Sequence, residues 1–393
     1  MKFSVLLPTR NRLEFLIYAI ESVRRQEYDR WEIIISDNYS EQDIKGYIDS
    51  LNEPRIKYSR TERFLSVTDN WNAALDRATG DYVIMLGDDD CLMKGYFNIV
   101  QKIVSEFSSP ELIYSNAFLY AYPGVLPKYP EGHFKTMGNC GLWDRETPYL
   151  LSAKTIERLV NDAFNFKMTF AYNMQFATIH KNLIERMRVQ GKFFHSPYPD
   201  FYAMPLLMDR AKTVVACPYP LVTVGISPKS HGYYHFNNRE KDAALFLNNP
   251  VELKGQEELN DILLPGSVLN TTWLVSLHVA QKELSRPIAI NYARYRRFQT
   301  LEFFQSISRE EDRLQKVRAF IQKLKGREKW INGTYLFLLL AIRAVGGFNV
   351  STFFFKVTRR LLTLHTRHPQ RKWDKKYENI LEGYEEFDPL AFR

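Results

Sequence analysis

The chain has 393 residues, of which 45% are hydrophobic and 25% are charged. This composition is typical of a globular protein with a substantial core, so it excludes a largely disordered chain, and the length is sufficient for two domains. The net charge of +8 favours an acidic partner such as a phosphate-bearing ligand or an anionic membrane surface, whereas no zinc-finger spacing or recognition helix indicates nucleic-acid binding.

Strand-like and helix-like patterns alternate along the first part of the chain. Short apolar runs predict strands, and apolar residues three or four positions apart predict amphipathic helices. Repeated β–α units of this length are typical of an α/β, Rossmann-like domain with a mostly parallel central sheet. The predicted strands are Phe3–Leu7, Trp31–Ile35, Ile56–Tyr58 and Asp81–Leu86, and the predicted helices are Leu13–Arg25, Glu41–Leu51 and Ser66–Ala78.

The pattern changes in the second half of the chain. The Gly-, Pro- and aromatic-rich stretch "YAYPGVLPKYPEGHF" predicts a loop over one edge of the sheet. Beyond Tyr234, long helical patterns dominate, as in Val268–Leu284 and Ile288–Ile307. We therefore predict a catalytic or binding domain at 1–240 and a mainly α-helical C-terminal region at 241–393.

Three polar clusters follow predicted strands: "PTRNR", "SDNYS" and "GDDD". In open α/β sheets, ligands bind beyond the carboxyl ends of the strands, so these clusters predict one shared crevice. The third contains Asp88, Asp89 and Asp90, whose adjacent carboxylates repel one another unless a positive charge holds them. Mg²⁺ or Mn²⁺ is a suitable partner because such ions prefer oxygen ligands. The alternative is a solvated turn in which one aspartate caps a helix.

Four segments of the chain together resemble family 2 glycosyltransferases. They are "FSVLLPTRNR", "ESVRRQEYDRWEIIISDNYSEQD", "NWNAALDRATGDYVIMLGDDD" and "SPYPDFY", and they occur in this order between residues 1 and 235. The resemblance implies the A-type nucleotide-sugar-binding fold, and it leaves the helical tail uncovered. It identifies the superfamily but not the sugar or the acceptor.

The resemblance also implies a donor site for a nucleotide-sugar. Asp37 matches the aspartate that pairs with the base, usually uracil, which suggests a UDP-sugar, and a carboxylate can accept a hydrogen bond from an imide N–H. Asp37 could instead form or cap a turn, and Asn70 and Asn72 could be helix-surface amides. The implied donor-binding residues are Pro8, Thr9, Arg10, Asn11, Asp37, Asn70, Asn72 and Asp88.

By the same resemblance, "GDDD" is the metal motif, and the cation would act as a Lewis acid on the leaving diphosphate. Many relatives have Asp-x-Asp-Asp, whose first acid falls here on Gly87. Alignment by the last two acids makes Asp89 the direct ligand. Asp88 would then contact ribose or metal, and Asp90 would support the metal or cap the next helix.

Inverting enzymes of this kind also need a base for the acceptor hydroxyl. The resemblance places this role on Asp200 in "SPYPDFY", where the residue could also cap a helix beginning at Phe201. His195 is a rival base. Lys229 and His231 could contact the diphosphate, but a solvated loop is the simpler interpretation.

The location of the protein is predicted from its cysteines and apolar segments. Cys91, Cys140 and Cys217 fit neither a disulfide framework nor a cysteine metal site. The N-terminal apolar stretch breaks at Pro8, unlike a signal peptide, and no apolar run is expected to reach the ~20 residues of a membrane span. We therefore expect a cytoplasmic protein.

The segment 335–372 combines apolar residues with Lys and Arg. It predicts either a helix at the interface of the cytoplasmic membrane, making the protein peripheral there, or a helix packed on the catalytic domain. Membrane contact would suit a lipid-linked glycan as acceptor.

Together these features predict a metal-dependent inverting glycosyltransferase of surface polysaccharide or glycoconjugate synthesis, acting on a glycan or lipid-linked glycan. An inactive nucleotide-sugar-binding or scaffold protein is an alternative, favoured by Gly87. A nucleotidyltransferase is a weaker one, because "PTRNR" lacks the glycines of a phosphate loop.

Overall fold

The computed structural model describes most of the chain. The predicted domain boundary near residue 240, His231, Cys140 and the basic residues of 363–372 lie outside the described part. The described residues are 1–126, 129–136, 142–230, 233, 259, 262–307, 313–362 and 376–391.

The first half of the sheet is parallel, as predicted. The strands β1 to β4 lie in the order β3–β2–β1–β4, and each neighbouring pair is parallel. All residues of β2 and β4 are buried, as expected for strands with helices on both faces. The elements are β1 Phe3–Thr9, α1 Leu13–Arg24, β2 Trp31–Asp37, α2 Ile44–Ser50, β3 Ile56–Arg60, α3 Val67–Leu75 and β4 Tyr82–Met85.

The second half of the sheet is mixed rather than parallel. Strand β9 lies between β4 and β6 and is antiparallel to both, whereas β10 is parallel to β6. The elements are β5 Cys91–Leu92, α4 Tyr96–Glu106, β6 Leu112–Ala121, β7 His133–Thr136, β8 Tyr149–Leu150, α5 Ala153–Phe164, a 3₁₀ turn Met174–Phe176, β9 Ala177–His180, α6 Lys181–Met187, α7 Pro199–Arg210 and β10 Val214–Ile226.

The described C-terminal region is helical, as predicted. Helix α8 packs its buried Trp273 and Leu277 on the catalytic domain, where the Trp273 ring lies 4.8 Å from that of Phe166. Helices α9 to α11 share a second apolar core. The helices are α8 Val268–Gln281, α9 Tyr292–Ser306, α10 Arg313–Lys323, α11 Gly326–Leu362 and α12 Leu381–Glu386.

Helix α11 is interrupted at Gly347, whose φ of 74° is compatible with glycine, and so it consists of two arms. The first arm, Gly326–Gly347, has 22 residues and a mean hydropathy of 1.3. By length and composition alone it could cross a membrane. The expectation that no segment is long enough was wrong on this measure, because uncharged polar residues such as Asn332 and Thr334 extend the apolar run.

The last described segment, 376–391, returns to the catalytic domain. The Tyr120 hydroxyl donates a hydrogen bond to the Tyr377 carbonyl over 2.9 Å, and the Tyr384 hydroxyl donates to the Arg25 carbonyl over 3.0 Å. Gly383 lies so close to Phe134 that a Cβ there would be 2.3 Å from the ring. This segment therefore completes an aromatic cluster beside β6 and β7.

Candidate active site

The three predicted loops meet at the carboxyl ends of the adjacent strands β2, β1 and β4. The Asn38 amide donates to the Thr9 carbonyl over 2.9 Å, which joins the first two loops. The Thr9 hydroxyl donates to Asp88 Oδ2 over 2.7 Å, which joins the first and third. Pro8 pairs in register with Ser36 one position earlier in the strands. The three loops thus lie together at one edge of the sheet, where the sequence predicted a crevice.

Asp37 is almost fully buried at the end of β2 and is fixed by two donors. Its Oδ1 accepts from the Ser40 amide over 2.9 Å, and its Oδ2 accepts from the Tyr58 hydroxyl over 2.7 Å. Burial and the bond to Asp37 raise the pKa of Tyr58. Because each carboxylate oxygen can accept more than one bond, Asp37 is oriented but still able to accept from a base.

Arg10 and Asn11 brace the first loop against the second. The Arg10 guanidinium lies 3.4 Å from the centroid of the Phe64 ring and donates to the Asn38 carbonyl. Asn11 has a φ of 52°, and its Oδ1 accepts from the Glu41 amide over 2.6 Å. Both residues shape the rim of the crevice.

Asn70 and Asn72 are buried and bonded within the protein. Asn70 exchanges two hydrogen bonds with Ser36. Asn72 Oδ1 accepts from the amides of Phe193 and Phe194, and its Nδ2 donates to the carbonyls of Thr68 and Phe194. All four hydrogen-bonding positions of Asn72 are therefore used, and its side chain positions the loop before Asp200 instead of presenting an amide to a ligand.

The aspartate cluster contains a residue that sequence reasoning missed, Arg12. Its Nη1 lies 2.7 Å from Asp88 Oδ1, and its Nη2 lies 2.5 Å from Asp89 Oδ2 and 2.6 Å from Ser227 Oγ. Arg12 is 8% exposed, so this is a buried ion pair. The available signal was the second arginine of "PTRNR", directly before α1.

Asp90 points into the protein. Its Oδ1 accepts from the Gly225 amide over 2.7 Å, and its Oδ2 accepts from the Gly87 amide and the Gln175 side chain over 2.7 and 2.6 Å. A Cβ at position 87 would lie 2.5 Å from Asp90 Oδ2. The glycine in place of the usual first acid therefore has a steric reason: Asp90 occupies that space.

The charges of the cluster do not balance. Burial alone would lower the pKa of Arg12, but attraction to Asp88, Asp89 and Asp90 outweighs it and raises the pKa. Burial, followed by repulsion from Asp89, raises the pKa of Asp90 to about 7, although three N–H donors oppose this. One guanidinium faces three carboxyl groups, so the cluster favours a further positive charge.

The donor set fits a divalent cation only in part. Among the residues that the structure describes, no three His, Cys, Asp or Glu side chains converge as a metal site. Asp89 Oδ1 takes part in none of the hydrogen bonds formed within the described ranges, because Arg12 and the Ser227 amide bond to Oδ2. Mg²⁺ often uses one or two carboxylates and completes its shell with phosphate and water. Asp89, with Asp88 beside it, suits that arrangement, whereas both oxygens of Asp90 are occupied.

Asp200 lies in the first turn of α7, where its Oδ1 accepts from the Phe201 amide over 2.9 Å. Burial raises its pKa to about 6, against the effect of that bond. The preceding loop is attached to α3, because Thr68 donates to the Ser196 carbonyl over 2.6 Å. The loop before Asp200 is therefore attached to the first turn of α3, the helix that follows β3.

His195, the rival base, and Lys229, the candidate diphosphate contact, both bond to other parts of the protein. The His195 ring contacts the Lys192 carbonyl at 3.1 Å and packs edge-on against Tyr202. Lys229 donates to the Asn11 carbonyl over 3.0 Å and pairs with Glu14 at 2.6 Å. Lys229 thus joins the end of β10 to the start of α1, next to Arg12.

Comparison with known proteins agrees with this geometry. The family model described as "Glycosyl transferase family 2" matches residues 4–173. A putative colanic acid biosynthesis glycosyl transferase, WcaA of Escherichia coli, is 25% identical over 249 residues, which are 61% of this chain and 81% of that protein. The abequosyltransferase RfbV of Salmonella typhimurium is 36% identical over 107 residues, but the match covers only 32% of its length and 26% of this chain.

Among solved structures, TarS of S. aureus (residues 1–349, in complex with UDP-GlcNAc) is similar with a TM-score of 0.49 and 15% identity, covering 92% of each chain. The segment that the family model matches, residues 4–173, contains the loops after β1, β2 and β4 and the aspartate cluster. This chain is therefore similar to glycosyl transferase family 2 over residues 4–173.

Proposed function

We propose that this protein is a metal-dependent inverting glycosyltransferase that moves a sugar from a UDP-sugar to a hydroxyl group. The acceptor is a glycan or lipid-linked glycan in the synthesis of a surface polysaccharide or glycoconjugate, as the names of WcaA and RfbV suggest. The observation that carries the proposal is that Asp37 and the Asp88–Asp89 pair lie at the same edge, two strands apart. Two strand spacings are about 10 Å, and this distance allows the base to bind at Asp37 while the diphosphate lies at the Asp88–Asp89 pair.

In this proposal Asp37 accepts a hydrogen bond from the imide of uracil, and the loop at Thr9 and Arg10 borders the ribose. Asp200 takes the proton of the acceptor hydroxyl as that oxygen attacks the anomeric carbon. A carboxylate whose pKa is about 6 is mostly ionised at neutral pH and so is able to accept a proton there.

The cation belongs to the proposal as well. Asp89 Oδ1, with Asp88 beside it, would hold Mn²⁺ or Mg²⁺, and the bound ion would stabilise negative charge on the departing diphosphate. Arg12 keeps the two carboxylates together and oriented. Asp90 holds the turn of the motif in place by accepting hydrogen bonds from the Gly87 and Gly225 amides.

The feature that favoured an inactive binding protein was the missing acid at position 87. The contact between Gly87 and Asp90 offers a steric reason for that glycine in a working site. A glycine at position 87 is therefore compatible with an active enzyme.

A donor-hydrolysis screen over a panel of nucleotide-sugars tests the proposal, with Mn²⁺, with Mg²⁺ and with EDTA. We expect hydrolysis of UDP-sugars that requires the cation and is lost in Asp89→Asn. Asp49→Asn, at an exposed position of α2, is the matched control and should retain full activity. Binding of UDP without turnover of any donor would favour the inactive protein, and full activity in EDTA would remove the metal from the mechanism.

A further inference from the structure

The exposed large hydrophobic side chains of this protein are concentrated on one element. Of the thirteen such residues in the described ranges, nine lie between 330 and 357 on α11. Soluble proteins rarely expose a contiguous apolar surface of this kind unless it binds a partner. We call this face the outer face of α11; its main members are Trp330, Phe337, Leu338, Val345, Phe353 and Phe354.

The two arms of α11 form one broad surface. The Tyr335 hydroxyl donates to Thr358 Oγ1 over 2.8 Å, and Arg343 Nε donates to Ser351 Oγ over 3.1 Å, so the arms lie side by side after the turn at Gly347. The opposite face is buried against α9 and α10 through Leu336, Leu339 and Phe355. The outer face is therefore the side of the helix pair that is turned away from the protein.

The charges around this face have one sign. Glu328 is the only acidic residue of α11, and it forms an ion pair with Arg296 of α9. The exposed basic residues Lys325, Arg327 and Lys329 lie at the start of the first arm, and the exposed Lys356 lies on the second arm. An apolar surface bordered by Lys and Arg is complementary to anionic lipid headgroups over an acyl layer.

A cavity of about 540 Å³ opens on the same region. Its walls are formed by Trp330, Ile331, Tyr335 and Leu338, and Arg297 is the cationic residue among them. An apolar cavity with one guanidinium suits a lipid chain and its phosphate better than it suits a folded protein surface.

The packing favours a helix pair that lies in the membrane interface over a helix that crosses the bilayer. The Arg343 guanidinium lies 4.5 Å from the centroid of the Phe304 ring of α9, on the face that packs against the protein. A spanning arm would have to leave α9 and expose this guanidinium to acyl chains, which is costly. Tryptophan, here 78% exposed at Trp330, is typical of the interfacial layer.

We propose that the outer face of α11 binds the surface of an anionic bilayer and makes this a peripheral membrane protein. The inference is independent of the transferase activity proposed above. It depends only on the apolar outer face of α11, the exposed basic residues beside it and the packing of the opposite face.

Flotation of the full chain with vesicles tests the inference. Wild-type protein should float with phosphatidylcholine vesicles containing phosphatidylglycerol, float poorly with phosphatidylcholine alone, and bind more weakly at high salt. Phe353→Ser/Phe354→Ser and Lys325→Gln/Lys329→Gln/Lys356→Gln should each weaken binding by at least about tenfold. Leu150→Ser, at an exposed hydrophobic position of the catalytic domain, should bind like wild type.

Thermal melting and donor hydrolysis of each variant, measured without vesicles, show that the fold is intact. The inference is overturned if wild-type protein ignores anionic vesicles, or if both variants bind unchanged. Resistance of the bound protein to alkaline carbonate would instead indicate a spanning arm. A dimer in solution that the Phe variant dissociates, together with no vesicle binding, would assign the outer face to a second copy of the chain.

Discussion

Arg12 Nη1 lies 2.7 Å from Asp88 Oδ1, although the segment from α1 to β4 lies between the two residues in the chain. This pair fixes the start of α1 against the loop after β4. The same guanidinium reaches Asp89 and Ser227, so one side chain connects three loops of the candidate site. The positive charge that the aspartates require is thus partly supplied by the protein itself.

Removal of Arg12 should destabilise the whole domain. In Arg12→Met, buried carboxylates lose their only described cationic partner, and breaking a buried pair in this way costs about 3–5 kcal/mol. The free energy of unfolding in urea measures the loss. Arg12→Lys should recover part of it, because lysine retains the charge but not the two-pronged geometry. Arg10→Met, at the rim, is the control, and equal stabilities of Arg10→Met and Arg12→Met would contradict the role of the pair.

Asp200 should set the low-pH limit of transfer. Only the ionised carboxylate can accept the acceptor proton, so kcat/KM should be low well below pH 6 and should rise to a plateau above it. Asp200→Asn should lose transfer by at least about 10²-fold and still bind UDP, measured by calorimetry. His195→Gln should keep both the rate and the pH profile; if it loses them instead, the histidine is the base.

Asp89 and Asp90 should separate metal binding from stability. Asp89→Asn should abolish the Mn²⁺-dependent increase in UDP affinity. It should leave the melting temperature within a few degrees of wild type, because the amide oxygen can still accept from Arg12 and Ser227 and one of three crowded negative charges is removed. Asp90→Asn should do the reverse, because an amide nitrogen replaces one carboxylate oxygen, and either Gly225 or the pair Gly87 and Gln175 then loses its acceptor. We expect a loss of about 1–3 kcal/mol from the unsatisfied donors. If both variants lose Mn²⁺ response equally, Asp90 is a ligand.

Restoring the family's usual acid at position 87 should harm the protein. In Gly87→Asp and Gly87→Ala the new Cβ would lie 2.5 Å from Asp90 Oδ2, so the turn must shift. Both variants should melt earlier than wild type and lose donor hydrolysis. Gly333→Ala, in α11 with no atom near the added methyl group, should be neutral or stabilising. Improved activity of Gly87→Asp would show that the glycine is a defect.

The sequence predicted the parallel half of the sheet because its signals are local. Apolar periodicity and polar loop composition place β1, β2 and β4, and topology then brings their loops to one edge. The antiparallel β9 was not predicted, since a four-residue strand after a 3₁₀ turn has no distinctive pattern.

Within the site, the contacts that escaped prediction are between residues far apart in the chain. Gly225 and Gln175 bond to Asp90 across 135 and 85 positions, and Phe194 bonds to Asn72 across 122. Residue type cannot distinguish an aspartate that faces a ligand from one that accepts backbone amides, because both are polar residues at the end of a strand. Such assignments depend on tertiary packing.

The return of residues 376–391 to the catalytic domain has a consequence for synthesis on the ribosome. The carbonyl that accepts the hydrogen bond of the Tyr120 hydroxyl lies 257 positions later in the chain. During synthesis, Phe118, Phe134 and their aromatic neighbours therefore lack these partners until residues 376–391 leave the exit tunnel. Synthesis of this segment, rather than completion of the sheet, is the event that covers the aromatic cluster.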